Sequence, residues 1–211
     1  MAPVLSICAV ILAAGESTRM GRDKALLPWP PAPPGVSSNQ TFLSAAIRAL
    51  DPFSDVVIVV AGKNADNLSN IAYGEGAVLV QNPAPERGQF SSLQVGLHEV
   101  LNRGRDNAMV TLVDRPPVSA ATLERLRTAF ELALAKRQWA VVPECGGKRG
   151  HPIFIGREMI EAFLRAPAES TAREIEHRNQ QHVEYVAVAD PFTTMNVDTP
   201  EQYAALSAQL T

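Results

Sequence analysis

Runs of apolar residues alternate along the chain with segments in which apolar residues recur every three or four positions. The runs have the length and the Val/Ile content of buried strands; they cover 4–12, 56–60, 77–80, 109–113, 139–142, 153–155 and 183–188. The periodic segments predict helices; they cover 41–50, 66–73, 88–101, 122–137, 158–164, 171–179 and 200–210. Strands that are apolar throughout and alternate with helices are typical of a parallel sheet covered on both faces.

The pattern therefore predicts an α/β fold with one Rossmann-like, doubly wound domain over residues 1–211. Its sheet is expected to be mostly parallel, with helices on both faces. Ligands of such sheets bind at the carboxyl ends of the strands. Residues 28–40 contain a dense run of prolines, which excludes a helix and predicts a surface insertion. The insertion is either a lid over the site or a plain surface loop.

Composition narrows the choice of partners. The net charge of −3 argues against a nucleic-acid polymer or an anionic membrane as the main partner. Two cysteines far apart in sequence imply no disulfide framework, which fits a reducing cytoplasm. The apolar run at 4–12 has no preceding Lys or Arg, so we interpret it as a strand and not a signal peptide.

The strongest chemical motif follows the first predicted strand. Residues 12–24 read LAAGESTRMGRDK, and within them Gly15 permits a sharp turn ahead of Arg19 and Lys24. A buried strand, a glycine turn and converging cations predict an anion-binding loop. Taken alone, a strand-to-loop turn with solvated charges also fits these residues. The glycine spacing matches neither the dinucleotide fingerprint nor the Walker loop.

Two further motifs follow later strands. Asn82 precedes a helix start that contains Ser91 and Ser92, whose hydroxyls either cap the helix or face a nucleotide. Asp114 follows another buried strand and precedes Arg115 and two prolines. A carboxylate in that position needs solvent, a partner or a metal ion, although a turn is the simpler explanation for an isolated Asp-x-Pro.

The last two motifs lie in the second half of the chain. Lys148, Arg149 and His151 stand among three glycines and predict a cationic tip on a hairpin turn. Asp198 belongs to the sequence NVDTP, where the proline predicts a helix start.

Together the five motifs resemble the MobA-like NTP transferases, the family of the molybdenum-cofactor guanylyl- and cytidylyltransferases. The segment GxxGHP is similar to the cytidylyltransferase branch, whereas Arg115 and the proline-rich insertion depart from the family pattern. The resemblance implies catalytic roles for Arg19, Lys24 and Asp114, and a Mg²⁺ ion held by Asp114 and Asp198. It implies nucleotide binding by nine residues: Leu12, Ala13, Ala14, Gly15, Arg19, Lys24, Asn82, Ser91 and Ser92.

The same resemblance implies that Lys148, Arg149 and His151 bind the acceptor, although His151 alternatively holds its turn through a backbone hydrogen bond. The implied reaction moves CMP from CTP to the phosphate of a molybdopterin-type cofactor and releases pyrophosphate. A molybdenum hydroxylase would receive the product. Ala14 favours CTP, since guanylyltransferase relatives usually carry a second glycine there. The alternatives are guanylyl transfer, transfer to another small phosphorylated acceptor, and a non-catalytic carrier of the cofactor.

Overall fold

The computed structural model of the protein describes residues 5–31, 38–167 and 169–207. The strands within these residues are β1 Cys8–Ala13, β2 Val56–Ala61, β3 Val78–Gln81, β4 Ala108–Leu112, β5 Ala140–Cys145, β6 Lys148–Arg149, β7 Ile153–Ile155 and β8 Val183–Ala187. The α-helices are α1 Phe42–Leu50, α2 Ala65–Gly74, α3 Gln89–Asn102, α4 Ala120–Ala135, α5 Arg157–Arg165, α6 Ala172–Arg178 and α7 Pro200–Ser207.

All the described strands belong to one mixed sheet in the order β3-β2-β1-β4-β7-β5-β6, and β8 also pairs with β5. The pairs β1–β2, β1–β4, β2–β3 and β5–β8 are parallel. The α/β class and the mostly parallel sheet predicted from the sequence are therefore confirmed. The first strand, however, begins at Cys8 and not at residue 4, which lies outside the described residues.

The exception to the parallel arrangement is the segment from β6 to β7, which runs antiparallel to β5 and, through β7, to β4. Gly146 and Gly147 connect β5 to β6 with φ values of +57° and +75°. A two-residue turn of this kind joins only antiparallel strands, because a parallel connection needs a crossover of a dozen or more residues. The predicted hairpin turn is therefore present, and β6 is a short strand that the sequence pattern did not reveal.

Two apolar layers enclose the sheet. Helices α1, α2 and α4 pack on one face, where Leu43, Leu68 and Phe130 are buried against alternate strand residues. Helices α3, α5 and α6 pack on the other face through residues such as Leu97 and Phe163. Successive strand residues point to opposite faces, so strands that are apolar throughout supply both layers.

A third, smaller apolar cluster packs helix α7 against the first part of the chain. Its buried members come from the loop after β1, the start of α1 and the region of α7: Met20, Leu27, Phe42, Val197, Tyr203 and Leu206. The Tyr203 hydroxyl donates to the Pro28 carbonyl at 2.7 Å. The Trp29 ring meets the Phe42 ring edge-on at 5.0 Å between centroids.

The same cluster closes the base of the predicted proline-rich insertion. The Trp29 N–H donates to the Gln40 carbonyl at 2.8 Å, and Pro28 forms a bridge with Thr41. Residues 32–37 of the insertion and residues 208–210 of the last predicted helix lie outside the described residues. Within the described part of the chain, no helix is both long and apolar enough to cross a bilayer.

The contact between α3 and the sheet yields a stability prediction. A Cβ on Gly96 of α3 would lie 2.6 Å from Val10 Cγ1 and 3.0 Å from Val60 Cγ2. Gly96→Ala should therefore lower the free energy of unfolding by about 1–3 kcal/mol, because the added methyl group overpacks a well-filled layer.

The matched control is Gly74→Ala at the end of α2, where a Cβ would meet nothing within 4 Å. This change should be neutral or stabilise the protein by up to about 1 kcal/mol. Urea unfolding of both variants measures the difference. Equal stability of the two variants would show that α3 tolerates a larger residue at its closest approach to the sheet.

Candidate active site

The loop after β1 is held in a compact shape by side chains from the neighbouring strand connection. The Asn64 amide donates to the Ala13 carbonyl at 3.0 Å and to Asp23 Oδ2 at 2.7 Å. The Lys24 N–H donates to Ser17 Oγ at 3.1 Å. Asn64 is thus a positioning residue. The sequence motifs did not identify it, because it is far from the loop in sequence and meets it only in the folded chain.

This loop approaches the next strand connection closely and leaves backbone groups free. A Cβ on Gly62 would lie 2.8 Å from the Ala14 carbonyl oxygen, so the approach requires glycine there. Among the described residues, the N–H groups of Gly15 and Glu16 donate to no acceptor. Ser17 adopts a φ of 52°, a conformation rare outside glycine. Free amides in a strained turn after a strand form an anion-binding arrangement.

The Lys24 ammonium group is the centre of the site. Its Nζ lies 2.5 Å from Asp198 Oδ1 and 3.3 Å from Asp114 Oδ2. Arg19 Nη2 lies 3.3 Å from the same Asp198 oxygen. Lys24 is only 9% exposed, whereas most of the Arg19 side chain reaches solvent. Two cations and two carboxylates that the sequence motifs predicted therefore meet in one cluster.

Backbone contacts explain how the two aspartates meet although they are far apart in sequence. The Val113 N–H donates to the Leu12 carbonyl at 3.1 Å, which continues the β1–β4 pairing to the loop. The Val197 N–H donates to the Asp114 carbonyl at 2.9 Å. Val197 itself is buried in the third cluster. The packing of α7 therefore sets the position of Asp198.

The carboxylate pair fits a divalent cation. Asp114 Oδ1 is buried and has no hydrogen-bond partner among the described residues. The Lys24 hydrogen bond, with a smaller contribution from Arg19, lowers the pKa of Asp198 and keeps it ionised. The described residues contain no cluster of three or more potential protein ligands. Two carboxylates are nevertheless the set that Mg²⁺ uses when substrate phosphates and water complete its coordination.

A cavity of about 480 Å³ opens beside this cluster at the carboxyl ends of β1 and β4. The predicted residues in its wall are Leu12, Ala14, Gly15, Arg19, Lys24, Ser92 and Asp114. The wall also contains Glu16, Ser17, Thr18, Glu86 and Gln89, which the motif analysis did not name. Of these, Glu16, Ser17 and Thr18 lie inside the first motif, so their position in the sequence was the available signal.

Three predicted nucleotide-binding residues do not line this cavity: Ala13, Asn82 and Ser91. The buried Asn82 amide donates to Ser91 Oγ at 2.8 Å and to Ser92 Oγ at 3.0 Å. Ser91 Oγ in turn donates to the Gly88 carbonyl at 2.8 Å, so it does not cap α3. In this structure Asn82 and Ser91 fix the start of α3, and Ser92 is the member of the group that reaches the cavity.

A second cavity of about 1020 Å³ adjoins the first. The two share the wall residues Leu12, Gly88, Gln89 and Leu112. Lys148, Arg149 and His151 line the second cavity and not the first. Apart from Leu12 in the shared wall, the predicted nucleotide residues that reach a cavity line the first one, and the predicted acceptor residues line the second.

Two of these three predicted acceptor residues already have protein partners. Arg149 Nη1 lies 3.4 Å from Glu176 Oε1, and the guanidinium carbon sits 4.2 Å from the centre of the Tyr185 ring. The His151 ring places Nδ1 3.3 Å from the Val110 carbonyl oxygen. Burial, and then the charge of Arg115, lower the pKa of His151 to about 4. The imidazole is consequently neutral at pH 7, as the alternative of a structural histidine requires.

Comparisons with known proteins identify the family of the chain. A family model described as the MobA-like NTP transferase domain matches residues 9–184. The molybdenum cofactor cytidylyltransferase of Escherichia coli strain K12 is 23% identical over 207 residues, which cover 98% of each chain. A molybdenum cofactor guanylyltransferase of Xanthomonas euvesicatoria is 28% identical over 200 residues, covering 93% of this chain and 92% of the relative.

Solved structures give the same fold. The crystal structure of Rv0371c from Mycobacterium tuberculosis H37Rv has a TM-score of 0.76 at 26% identity and covers 97% of this chain and 98% of that chain. A manganese complex of that protein has a TM-score of 0.72 at 24% identity, covering 96% of this chain and 98% of that chain. These structural similarities extend over nearly the whole chain.

The lowered pKa of His151 predicts a specific pH dependence of stability. A histidine whose folded pKa lies below its unfolded value of about 6.5 favours folding above that pH. As the pH falls from 6.5 towards 4, the imidazole is protonated in the unfolded chain and stays neutral in the folded protein. The wild-type protein should therefore lose on the order of 1–2 kcal/mol of stability between pH 7.5 and pH 5 through this residue.

Urea unfolding of wild type and His151→Gln at both pH values measures that loss. The variant should show a smaller acid-dependent loss, whereas His98→Gln, which replaces an exposed imidazole on α3, should retain the wild-type dependence. An unchanged loss in His151→Gln would show that the ring takes up its proton in the folded state.

Proposed function

Because this chain belongs to the MobA-like NTP transferase family, we propose that it transfers CMP from CTP to the phosphate of a molybdopterin-type cofactor and releases pyrophosphate. The observation that carries the proposal is the placement of Lys24 and Asp114 in the wall of the cavity beside the loop after β1, called the nucleotide cavity below, with Asp198 paired to Lys24. A relative of matching length is named as a molybdenum cofactor cytidylyltransferase.

The loop after β1 supplies the triphosphate site in this proposal. The free N–H groups of Gly15 and Glu16 donate to phosphate oxygens, and Lys24 and Arg19 neutralise their charge. Both cations pair with Asp198 in the structure, so nucleotide binding transfers them from carboxylate to phosphate. Lys24 is nearly buried, which strengthens its attraction for the phosphates because little water screens it.

The transfer itself needs positioning and charge neutralisation more than a protein nucleophile. An oxygen of the acceptor phosphate attacks the α-phosphorus of the nucleotide, and the bond to the pyrophosphate oxygen breaks. Lys24 and Arg19 stabilise the negative charge that develops on the leaving pyrophosphate. A Mg²⁺ ion held by Asp114 and Asp198 would supply further neutralisation of the phosphate oxygens.

Ala14 supports the choice of CTP. Its side chain lines the nucleotide cavity, and its carbonyl lies against Gly62, so the backbone cannot move towards β2 to make room. A methyl group at that position reduces the space for a purine. GTP is the competing donor, because a guanylyltransferase relative is 28% identical over most of the chain.

The second candidate, a non-catalytic carrier of the cofactor, has less support. A carrier needs the larger cavity lined by Lys148, Arg149 and His151, called the acceptor cavity below, but it has no use for the nucleotide cavity with its two cations, Asp114 and unpaired amides. Within the proposal, the enzyme acts in the cytoplasm and passes its product to a molybdenum hydroxylase.

Donor choice is tested by pyrophosphate release with molybdopterin as acceptor. CTP should support turnover at least about tenfold better than GTP, since removing a steric clash of one methyl group changes binding by roughly 1–3 kcal/mol. Ala14→Gly should raise the rate with GTP and so lower the ratio of the CTP rate to the GTP rate. A carrier would release no pyrophosphate with either nucleotide, and equal rates in the wild type would contradict the cytidylyl assignment.

The role of Asp114 is tested in the same assay with added Mg²⁺. Asp114→Ala should lower the rate by about a hundredfold or more, equivalent to roughly 3 kcal/mol of transition-state stabilisation, with little change in fold. Asp66→Ala removes an exposed carboxylate from the first turn of α2 and should keep near-native activity. A folded Asp114→Ala protein with a normal rate would show that Asp114 only forms a turn and has no part in the reaction.

A further inference from the structure

Arg115 follows the candidate metal ligand Asp114 but faces a different cavity. Asp114 lines the nucleotide cavity, whereas Arg115 lines the acceptor cavity together with His151. We propose that Arg115 is the principal phosphate-binding residue on the acceptor side and that it holds the attacking phosphate next to the nucleotide. This inference rests on the proposed function and names a residue that the sequence motifs did not assign to substrate.

The guanidinium group of Arg115 is only partly satisfied by the protein. Its Nη1 donates to the Thr193 carbonyl at 2.8 Å. Its Nε is buried and has no hydrogen-bond partner among the described residues. Over the same residues Arg115 has no carboxylate within ion-pair distance, although the charges of Asp114 and Asp198 act on it. A guanidinium group with few direct partners is unfavourable in a partly buried position, and an anion in the cavity would stabilise it.

The other polar groups of the acceptor cavity are less suited to a phosphate. Arg149 pairs with Glu176 and lies over Tyr185, with half of its side chain exposed. Lys148 is exposed on a strand of two residues. His151 is neutral at pH 7, because its pKa lies near 4. Arg87 and Arg173 also line this cavity but are exposed, so Arg115 is the least exposed cation among the described residues of its wall.

The position of Arg115 is rigidly defined. The buried Thr193 carbonyl accepts from Arg115 Nη1 and from the His151 N–H, both at 2.8 Å. A Cβ on Gly150 would lie 2.3 Å from the same carbonyl oxygen. Only glycine at position 150 therefore allows this close approach to Thr193. One hydrogen bond thus orients the guanidinium plane and leaves Nη2, which donates to no acceptor among the described residues, to bind oxygen. A guanidinium group binds two phosphate oxygens at once, which an ammonium group does not.

The location next to Asp114 gives this phosphate a defined role. A phosphate on Arg115 would lie in the acceptor cavity, one residue along the chain from Asp114, a candidate metal ligand in the wall of the nucleotide cavity. There its oxygen attacks the α-phosphorus, and pyrophosphate departs from the opposite side. Arg115 consequently affects acceptor affinity more than nucleotide affinity.

The test combines a binding measurement that needs no turnover with the kinetics of transfer. Inorganic phosphate is titrated by ³¹P NMR into protein saturated with Mg²⁺ and a CTP analogue whose α,β-bridge cannot be cleaved. Arg115→Gln should weaken phosphate binding by about tenfold or more, as expected for loss of a charge-assisted hydrogen bond. In the transfer assay, the KM for molybdopterin should rise by a similar factor, with the CTP dissociation constant unchanged.

Two comparison variants isolate the contribution of the guanidinium group. Arg115→Lys keeps the positive charge but loses the two-pronged geometry of the guanidinium group. Its affinity for phosphate should lie between those of the wild type and Arg115→Gln. Arg127→Gln makes the same chemical change in an ion pair with Glu131 on α4 and should match the wild type. If Arg115→Gln does not fold, Arg115→Lys carries the comparison, since a dissociation constant equal to the wild-type value would overturn the proposal.

Several results contradict the inference. Phosphate binding within twofold of wild type in Arg115→Gln, or an equal loss of CTP affinity, assigns Arg115 a structural role. Absence of phosphate binding by the wild type does the same. A wild type that binds phosphate through Arg115 but transfers no CMP would instead refute the proposed function and leave the anion site standing.

Discussion

The site depends on one buried ammonium group that holds two carboxylates from distant parts of the chain. Lys24 contacts Asp114, which follows a central strand, and Asp198, which precedes the last described helix. Placing these charges together out of water is unfavourable unless the surrounding structure fixes all three. The β1–β4 pairing fixes the first aspartate, and the cluster around Phe42, Val197 and Tyr203 fixes the second. The packing of α7 is therefore part of the construction of the site.

Much of this arrangement follows from local sequence. Strands such as Val56–Ala61 are apolar throughout, so their burial on both faces and their parallel neighbours are predictable. Lys24 and Asp114 each come after a predicted strand, and the carboxyl ends of parallel strands meet at one edge of a sheet, which is why these two residues could be placed together. Their sequence pattern also indicated the family before any contact was known.

Other features depend on contacts that no local pattern records. The reversed direction of β7 follows from the short turn at Gly146 and Gly147, which a hydrophobic run of three residues does not reveal. Asn82 and Ser91 appear in the motif as polar residues near a site, and only their mutual hydrogen bond shows that they hold the start of α3. Asn64 belongs to no motif, yet it joins the loop after β1 to Asp23.

The two cavities take their separate walls from different stretches of the chain. Beyond the wall they share, the nucleotide cavity uses residues 14–24, 85–86, 92 and 113–114, whereas the acceptor cavity uses mainly residues 142–177. Under the proposed function, a substitution in residues 14–24 would alter the donor site alone, and one in residues 142–177 would alter the acceptor site alone. Selection could then change the base and the acceptor in independent steps. Exchange of residues 142–177 would replace most of the acceptor wall in a single event and keep both Arg115 and the described wall of the nucleotide cavity.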